Sequence, residues 1–516
     1  IYTRSDTAAA DVPTVTVDMV REAGGLPMSE PLFPSEAQKL ALGTSGPRVS
    51  AQSSPALRNA VEMRRRTEEF HNQIRVAEQE LLRTLGPNAR PLPDRTGLSR
   101  VSGPVMAASP DKVSFTNSDG FTNCTVDETV RAIKIRENDL MVIYQDSIQW
   151  AGDPLSETIA QQMLDFYEAN GKDVIESYFG GVTDINADGK IVVFVTPVVA
   201  EGVAAFVWSG DFFPKTSQPG WGACPASNQM EMVRFSLGTA KGIADGNYQA
   251  LGTLVHEAKH VASLYQSIIR GKYQPLWVEE GTAEIAKEVA SRQAWADVGG
   301  PAVDVMAFGQ DVQAFSPENY GIILVHAGTT GYLSSQPNGV VVTPNGAGSD
   351  HSVYGSGWHF HRWLGDAYGV PSQPKGDSSL FRTLNDSLTA AGAQGILQAT
   401  GAPSWAALLE EYVAAVMENG TGVPLGPRSF TSYDFRSMNQ SFTYTGKPVG
   451  DYPWPVNSPG GTGSAAFLSA NNIGPIGASG VRIFDLASDG TGLGLEVKVQ
   501  TNGGTFPFRI VLVRVE

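Results

Sequence analysis

Residues 251–284 read LGTLVHEAKHVASLYQSIIRGKYQPLWVEEGTAE, and the reading of this stretch decides the fold. Leu251, Leu254, Val255, Ala258, Val261, Ala262, Leu264, Tyr265 and Ile268 recur at helical spacing, which predicts one helix with a broad apolar face. Asn247 is its expected N-cap and Gly271 its expected stop. His256 and His260 are four positions apart, so they share a face of that helix and their imidazoles can converge on one metal ion. Glu257 points about a quarter turn away, where it can reach a water at such a metal without being a ligand. Histidine ligands, a carboxylate base and an open position for water are the division of labour of zinc hydrolases.

A His-Glu-x-x-His string also arises by chance in a long chain. Two features weigh against chance here: the periodic helix around it and a second acidic helix after Pro275. That helix carries Trp277-Val278-Glu279-Glu280-Gly281-Thr282-Ala283-Glu284, and Glu280 lies twenty positions beyond His260. The spacing lets the chain turn and run back past the first helix, with Glu280 as third ligand. Glu284 is one turn further on the same face, placed to accept the outer N–H of a ligand histidine.

His256, His260 and Glu280 in a Trp-x-x-Glu-Gly setting resemble the gluzincin metallopeptidases, the class of thermolysin and the zinc aminopeptidases. Within that class the chain is most similar to the hyicolysin-type family. That likeness rests also on Gly181-Val182-Thr183-Asp184-Ile185-Asn186 ahead of the zinc segment and Tyr354-Gly355-Ser356-Gly357-Trp358 after it. It covers about 166–369. The resemblance implies one Zn2+ per chain on His256, His260 and Glu280, Glu257 as general base, and Glu284 supporting a ligand histidine. It also implies a Tyr or His downstream as oxyanion donor; Tyr354 is the first candidate and His351 the second.

The chain has 516 residues, too many for one ordinary domain. A 41% hydrophobic content supplies globular cores, and a net charge of −16 argues against nucleic acid or an anionic membrane as main partner. No apolar run approaches the ~20 residues of a spanning helix. The chain begins at Ile1 rather than Met, and the expectation is a processed, secreted or cell-surface protein. Cys124 and Cys224 are the only cysteines. Their spacing resembles no zinc pair; a disulfide and two buried thiols both remain open.

Residues 1–55, rich in Ala, Pro, Ser and Gly, read as an extended arm or the remnant of a pro-segment. Helix and linker follow over 56–103. The helix runs Pro55 to Leu85 with Phe70, Ile74, Ala77, Leu81 and Leu85 as its apolar stripe, and His71 reads as a surface position. Residues 104–238 are strand-rich: 129–135 alternates, 140–144 and 191–195 are apolar runs, and a helix is expected over 155–178. Asp184, Asn186 and Asp188, followed by Gly189, form the front half of a calcium loop, but Val195 stands where the closing glutamate belongs. Ca2+ or an Asx turn are the two readings. Residues 207–214, with Trp208, Phe212 and Phe213, read as a loop of exposed aromatics bordering a cleft. The strand holding Met230 and Glu231 precedes the zinc helix and is the expected substrate edge, where peptide adds as a strand. Met230-Glu231 is also a two-residue likeness to an aminopeptidase signature. His359 and His361 lie two apart and face different ways on a helix, and His326 reads as a core histidine.

The fold expectation is α+β: a gluzincin-like catalytic domain over 104–427 (mixed sheet, then a helical zinc-binding part over 239–427) and a C-terminal β-sandwich-like domain over 428–516. The function expected is a secreted zinc metalloendopeptidase acting on peptide or protein. A zinc aminopeptidase is one alternative. The other is a non-catalytic structural or adhesive extracellular protein, self-associating or surface-attached through the arm or the β domain.

Overall fold

The computed structural model describes residues 55–86, 89–96, most of 112–297 and most of 352–432, with strand segments at 2–3, 15–21, 340–341, 442–444, 447–449, 480–481, 495–501 and 508–509. It is a mixed α+β fold.

In chain order, β1 (Tyr2–Thr3) and β2 (Val15–Arg21) precede the long helix α1 (Pro55–Leu85). β3 (Lys112–Phe115), α2 (Gly120–Asn123), β4 (Glu128–Glu137) and β5 (Met141–Asp146) follow, then α3 (Ser147–Gly152), α4 (Glu157–Phe166) and α5 (Lys172–Phe179). β6 (Ile191–Val195), β7 (Ala205–Val207) and β8 (Met232–Phe235) lead into α6 (Leu237–Lys241), α7 (Gln249–Arg270) and α8 (Leu276–Asp297). Beyond β9 (Val340–Val341) come α9 (Ser352–Tyr368), α10 (Ser378–Arg382), α11 (Gly392–Thr400) and α12 (Trp405–Glu418). Five short strands close the order: β10 (Phe442–Tyr444), β11 (Lys447–Val449), β12 (Gly480–Val481), β13 (Leu495–Thr501) and β14 (Phe508–Arg509).

Six strands form the main sheet in the order β3-β4-β5-β6-β8-β7. β5, β6 and β8 are parallel, and the outer pairs are antiparallel. Every residue of β5, β6 and β8 is buried, as expected for central strands covered on both faces. This corrects the substrate-edge expectation: β8, which comes directly after Met230 and Glu231, lies inside the sheet between β6 and β7. The edge on this side is β7, antiparallel to β8, and the opposite edge is β3. Short apolar strands carry no sequence mark of which neighbour they pair with.

α7 buries the apolar positions read from its periodicity. It ends where expected: Gly271 takes φ +65°, while Gly271 N–H donates to Ile268 O and Lys272 N–H to Ser267 O, a Schellman cap. The helix expected over 155–178 is divided by a π-turn at Tyr167–Gly171. A Cβ on Gly171 would stand 2.6 Å from the Tyr167 ring and 3.0 Å from Val255, so the turn and its glycine let this element close on α7. α8 and α9 cross at two glycines. A Cβ on Gly281 would meet His361 Nδ1 at 2.6 Å and the Gly357 backbone at 2.9 Å.

Cys124 and Cys224 form a disulfide, Cα–Cα 4.9 Å, closing a loop of 100 residues. In the chain-entropy account such a loop contributes up to ~4–5 kcal/mol. Residues of the N-terminal arm pair with the C-terminal region: β2 runs antiparallel to β13 from Val15↔Thr501 to Arg21↔Leu495, and β1 lies between β12 and β14. Most of the remaining 428–516 segment lies outside the described residues, as does His326. Among the described residues no helix is long and apolar enough to cross a membrane.

Candidate metal centre

α7 and α8 meet so that His256, His260 and Glu280 offer three ligand atoms within 4.8 Å of one another. His256 Nε2 lies 3.0 Å from Glu280 Oε2, His260 Nε2 lies 3.3 Å from the same oxygen, and the two Nε2 atoms are 3.1 Å apart. All three residues are buried, Glu280 completely.

The outer nitrogen of each ring has its own carboxylate. His256 Nδ1 is 3.0 Å from Glu284 Oε1, the outer partner that the one-turn spacing on α8 predicts. His260 Nδ1 is 2.7 Å from Glu279 Oε1, a partner that reading the sequence missed. Glu279 also accepts from Ser263 Oγ at 2.5 Å and from Lys259 Nζ at 2.8 Å. Lys259, between the two ligand histidines in sequence, is buried and also donates to the Glu279 backbone oxygen. Burial opposes ionisation of Glu279, yet Lys259, His260 and Arg75 hold its carboxyl well below the usual range.

Carboxylates on both Nδ1 atoms leave the Nε2 atoms facing each other and a carboxylate oxygen. Three acceptors at 3.0–3.3 Å need a cation or an extra proton between them. Without metal a proton serves: burial pulls His256 down, but its hydrogen bonds to Glu280 and Glu284 prevail and push it up to about 9. The donor set of two imidazoles and one carboxylate suits zinc.

Glu257 sits on α7 between the ligands, 1% exposed. Its Oε2 has no hydrogen-bond partner among the described residues. Tyr354 falls in the first turn of α9, with its side chain outside the described residues, and His351 lies outside them altogether.

Two residues of α1 reach the centre. His71 is 6% exposed, which corrects its reading as a surface position. Its Nδ1 is 3.9 Å from Glu280 Oε2 and its Nε2 donates to Ala205 O at 3.2 Å. Arg75, also buried, places Nε 3.9 Å from Glu280 Oε1. The available signal was a polar row at 71, 75 and 78, spaced i, i+4, i+7 beside the apolar stripe.

Other expectations resolve as structural contacts. Glu231 is fully buried; its Oε1 accepts from Thr183 Oγ1 and Ile185 N–H, each at 2.8 Å, tying down the loop before β6. In that loop Asn186 Nδ2 donates to Asp188 Oδ2, and Asp188 Oδ1 accepts from Lys190 N–H, the pattern of an Asx turn. Among the described residues the only group of three or more His, Cys, Asp or Glu side chains that converges for a metal is the His-His-Glu one. The aromatics of 207–214 are not exposed: Trp208, Phe212 and Phe213 are buried, and Arg234, paired to Asp211 at 2.6 Å, lies over the Trp208 and Phe206 rings. Sequence periodicity cannot show that distant cation. His359 Nδ1 meets Tyr412 Oη at 2.7 Å and His361 Nδ1 meets Gly357 O at 2.7 Å, so both are packed helix residues.

No family model matches the sequence, and no curated protein matches it.

Proposed function

We propose that this chain is a zinc-dependent metalloendopeptidase of the gluzincin type, working outside the cell. The observation that carries this reading is the convergence of His256 Nε2, His260 Nε2 and Glu280 Oε2 with each histidine's Nδ1 backed by a carboxylate. Zinc held there supplies Lewis acidity toward a peptide carbonyl and a water acidified towards neutrality. Glu257, unpartnered at Oε2, takes the proton from the attacking water and returns it to the leaving amine. Glu284 and Glu279 hold the two imidazoles in the tautomer that presents Nε2. Tyr354 or His351 is the proposed donor to the oxyanion.

The disulfide supports an oxidising compartment. The exopeptidase alternative loses support, because the Glu231 side chain is fully buried and its Oε1 is held by Thr183 and Ile185. The depth of the centre favours one competing reading, a non-catalytic extracellular protein that keeps the metal: His256, Glu257, His260 and Glu280 are all at most 4% exposed.

The test is metal content and cleavage of a mixed peptide library, measured on one sample each of parent and Glu257→Gln. The expected result is about one zinc per chain in both, with any cleavage lost when Glu257 is replaced. Zinc in both without cleavage, even in a variant that lacks the hydrogen bonds of His71 to Ala205 O and of Arg75 to Val207 O in β7, supports the non-catalytic reading. Absence of zinc from metal-replete protein removes both.

A further inference from the structure

Just after β8, Ser236 N–H donates to Ala204 O, the residue before β7, and within β7 Phe206 pairs with Arg234. Alternation along an antiparallel strand then turns the carbonyls of Ala205 and Val207 to the open edge of the sheet. These are the groups an extended peptide engages when it adds as a further strand.

The chain's own helix already holds them. His71 donates to Ala205 O at 3.2 Å, Arg75 Nη2 donates to Val207 O at 3.2 Å, and Glu78 Oε1 accepts from Ser209 N–H at 2.8 Å. Helical steps of four and three on α1 thus match steps of two along the chain at Ala205, Val207 and Ser209. The same two donors carry the row to the metal centre, each 3.9 Å from Glu280. Arg75 and Glu78 are paired at 2.6 Å and buried. A buried ion pair is a poor way to gain stability over an apolar contact, and its placement matches backbone polarity along the strand edge. The apolar stripe Ile74, Ala77 and Leu81 packs into the core and seats the helix.

The chain after α1 is anchored separately. Leu92 N–H donates to Phe212 O, Tyr265 Oη donates to Leu92 O, and Arg95 N–H donates to Asp184 O. Gly86, at φ +88°, stands between the helix and this anchored segment. The anchors of Leu92 and Arg95 thus involve no residue of α1.

We propose that α1 is an autoinhibitory cover. Its side chains His71, Arg75 and Glu78 occupy the peptide-binding edge of β7, and substrate enters only when the helix leaves. This rests on the peptidase reading above, and the experiment separates the two.

Full-length protein is loaded with Co2+, whose visible band reports on ligands at the metal, and titrated with an extended tripeptide hydroxamate. The parent and His71→Ala/Arg75→Ala are compared, with melting curves to show that both fold. The expected result is a dissociation constant at least about tenfold lower in the variant, the gain from removing a closed state that excludes ligand. Equal constants overturn the cover. Tighter binding by the parent overturns it too and makes α1 a wall of the cleft. If the double variant does not fold, His71→Ala alone frees Ala205 O while keeping the Arg75–Glu78 pair, and the same two outcomes decide. A variant that binds the hydroxamate more tightly yet cleaves no peptide keeps the cover and removes the peptidase. Cobalt bound by neither protein removes both.

Discussion

His260 Nδ1 stands 2.7 Å from Oε1 of Glu279, the residue immediately before Glu280 of the candidate metal group. The two adjacent acids divide the work, one facing the metal position and one behind the histidine. Lys259 and Ser263, from the same helix as His260, converge on the same Glu279 oxygen.

Glu279→Gln is therefore expected to weaken metal binding by about 10–100-fold while every ligand stays in place. It also removes the carboxylate paired to the buried Lys259, which destabilises the fold. Adding Lys259→Met is expected to recover stability and leave affinity low. Competition with a chromophoric chelator reads affinity, and thermal melting reads stability. Affinity that recovers together with stability would show that Glu279 serves only the fold.

Glu231 yields a pH prediction. Burial pushes its carboxyl up to about 8, against the opposing hydrogen bonds from Ile185 and Thr183. The folded value lies above the unfolded value near 4.5, so this contribution to stability is fully present below 4.5 and is lost as pH rises through about 8. For one proton the slope reaches about 1.4 kcal/mol per pH unit. Glu231→Gln keeps an acceptor for Thr183 and Ile185 and cannot ionise. Its denaturation midpoint is expected to stay flatter than the parent's between pH 5 and 8, in the window the shift defines. Parallel curves for the two proteins would show that the carboxyl titrates normally.

The candidate ligand group was legible because two consecutive helices and their spacing contain it. His256 and His260, with Glu257 beside them, follow from helical geometry, and Glu280 and Glu284 from a second helix one short turn away. α1 over 55–85 and β6 over 191–195 coincide with the apolar patterns that predict them. What escaped depends on partners far along the chain. Whether β8 or β7 is the edge is decided by hydrogen bonds between strands, and both are short apolar runs. His71 beside an apolar stripe looks the same whether it faces solvent or Ala205, 134 residues away. Trp208 reads as exposed until Arg234 is brought over its ring. Glu231 reads as a substrate contact until the loop at 183–185 folds onto it.

Gly281 shows how far the metal position depends on packing outside the ligands. A Cβ there would stand 2.6 Å from His361 Nδ1 and 2.9 Å from the Gly357 backbone, so α8 and α9 cannot keep their separation. Gly281→Ala is expected to cost about 1–3 kcal/mol through overpacking. Because Gly281 comes directly after Glu280, relief of the clash by movement of α8 also shifts the ligand carboxylate, and metal affinity falls. Gly271→Ala is the control. That residue has φ +65° with nothing within 4 Å of a built Cβ, so the change strains a helix end without touching the α8–α9 contact. Both variants are expected to melt below the parent, and only Gly281→Ala to lose metal affinity in the chelator competition. Equal affinity in all three proteins would mean that the helices absorb the methyl group at His361 without moving Glu280.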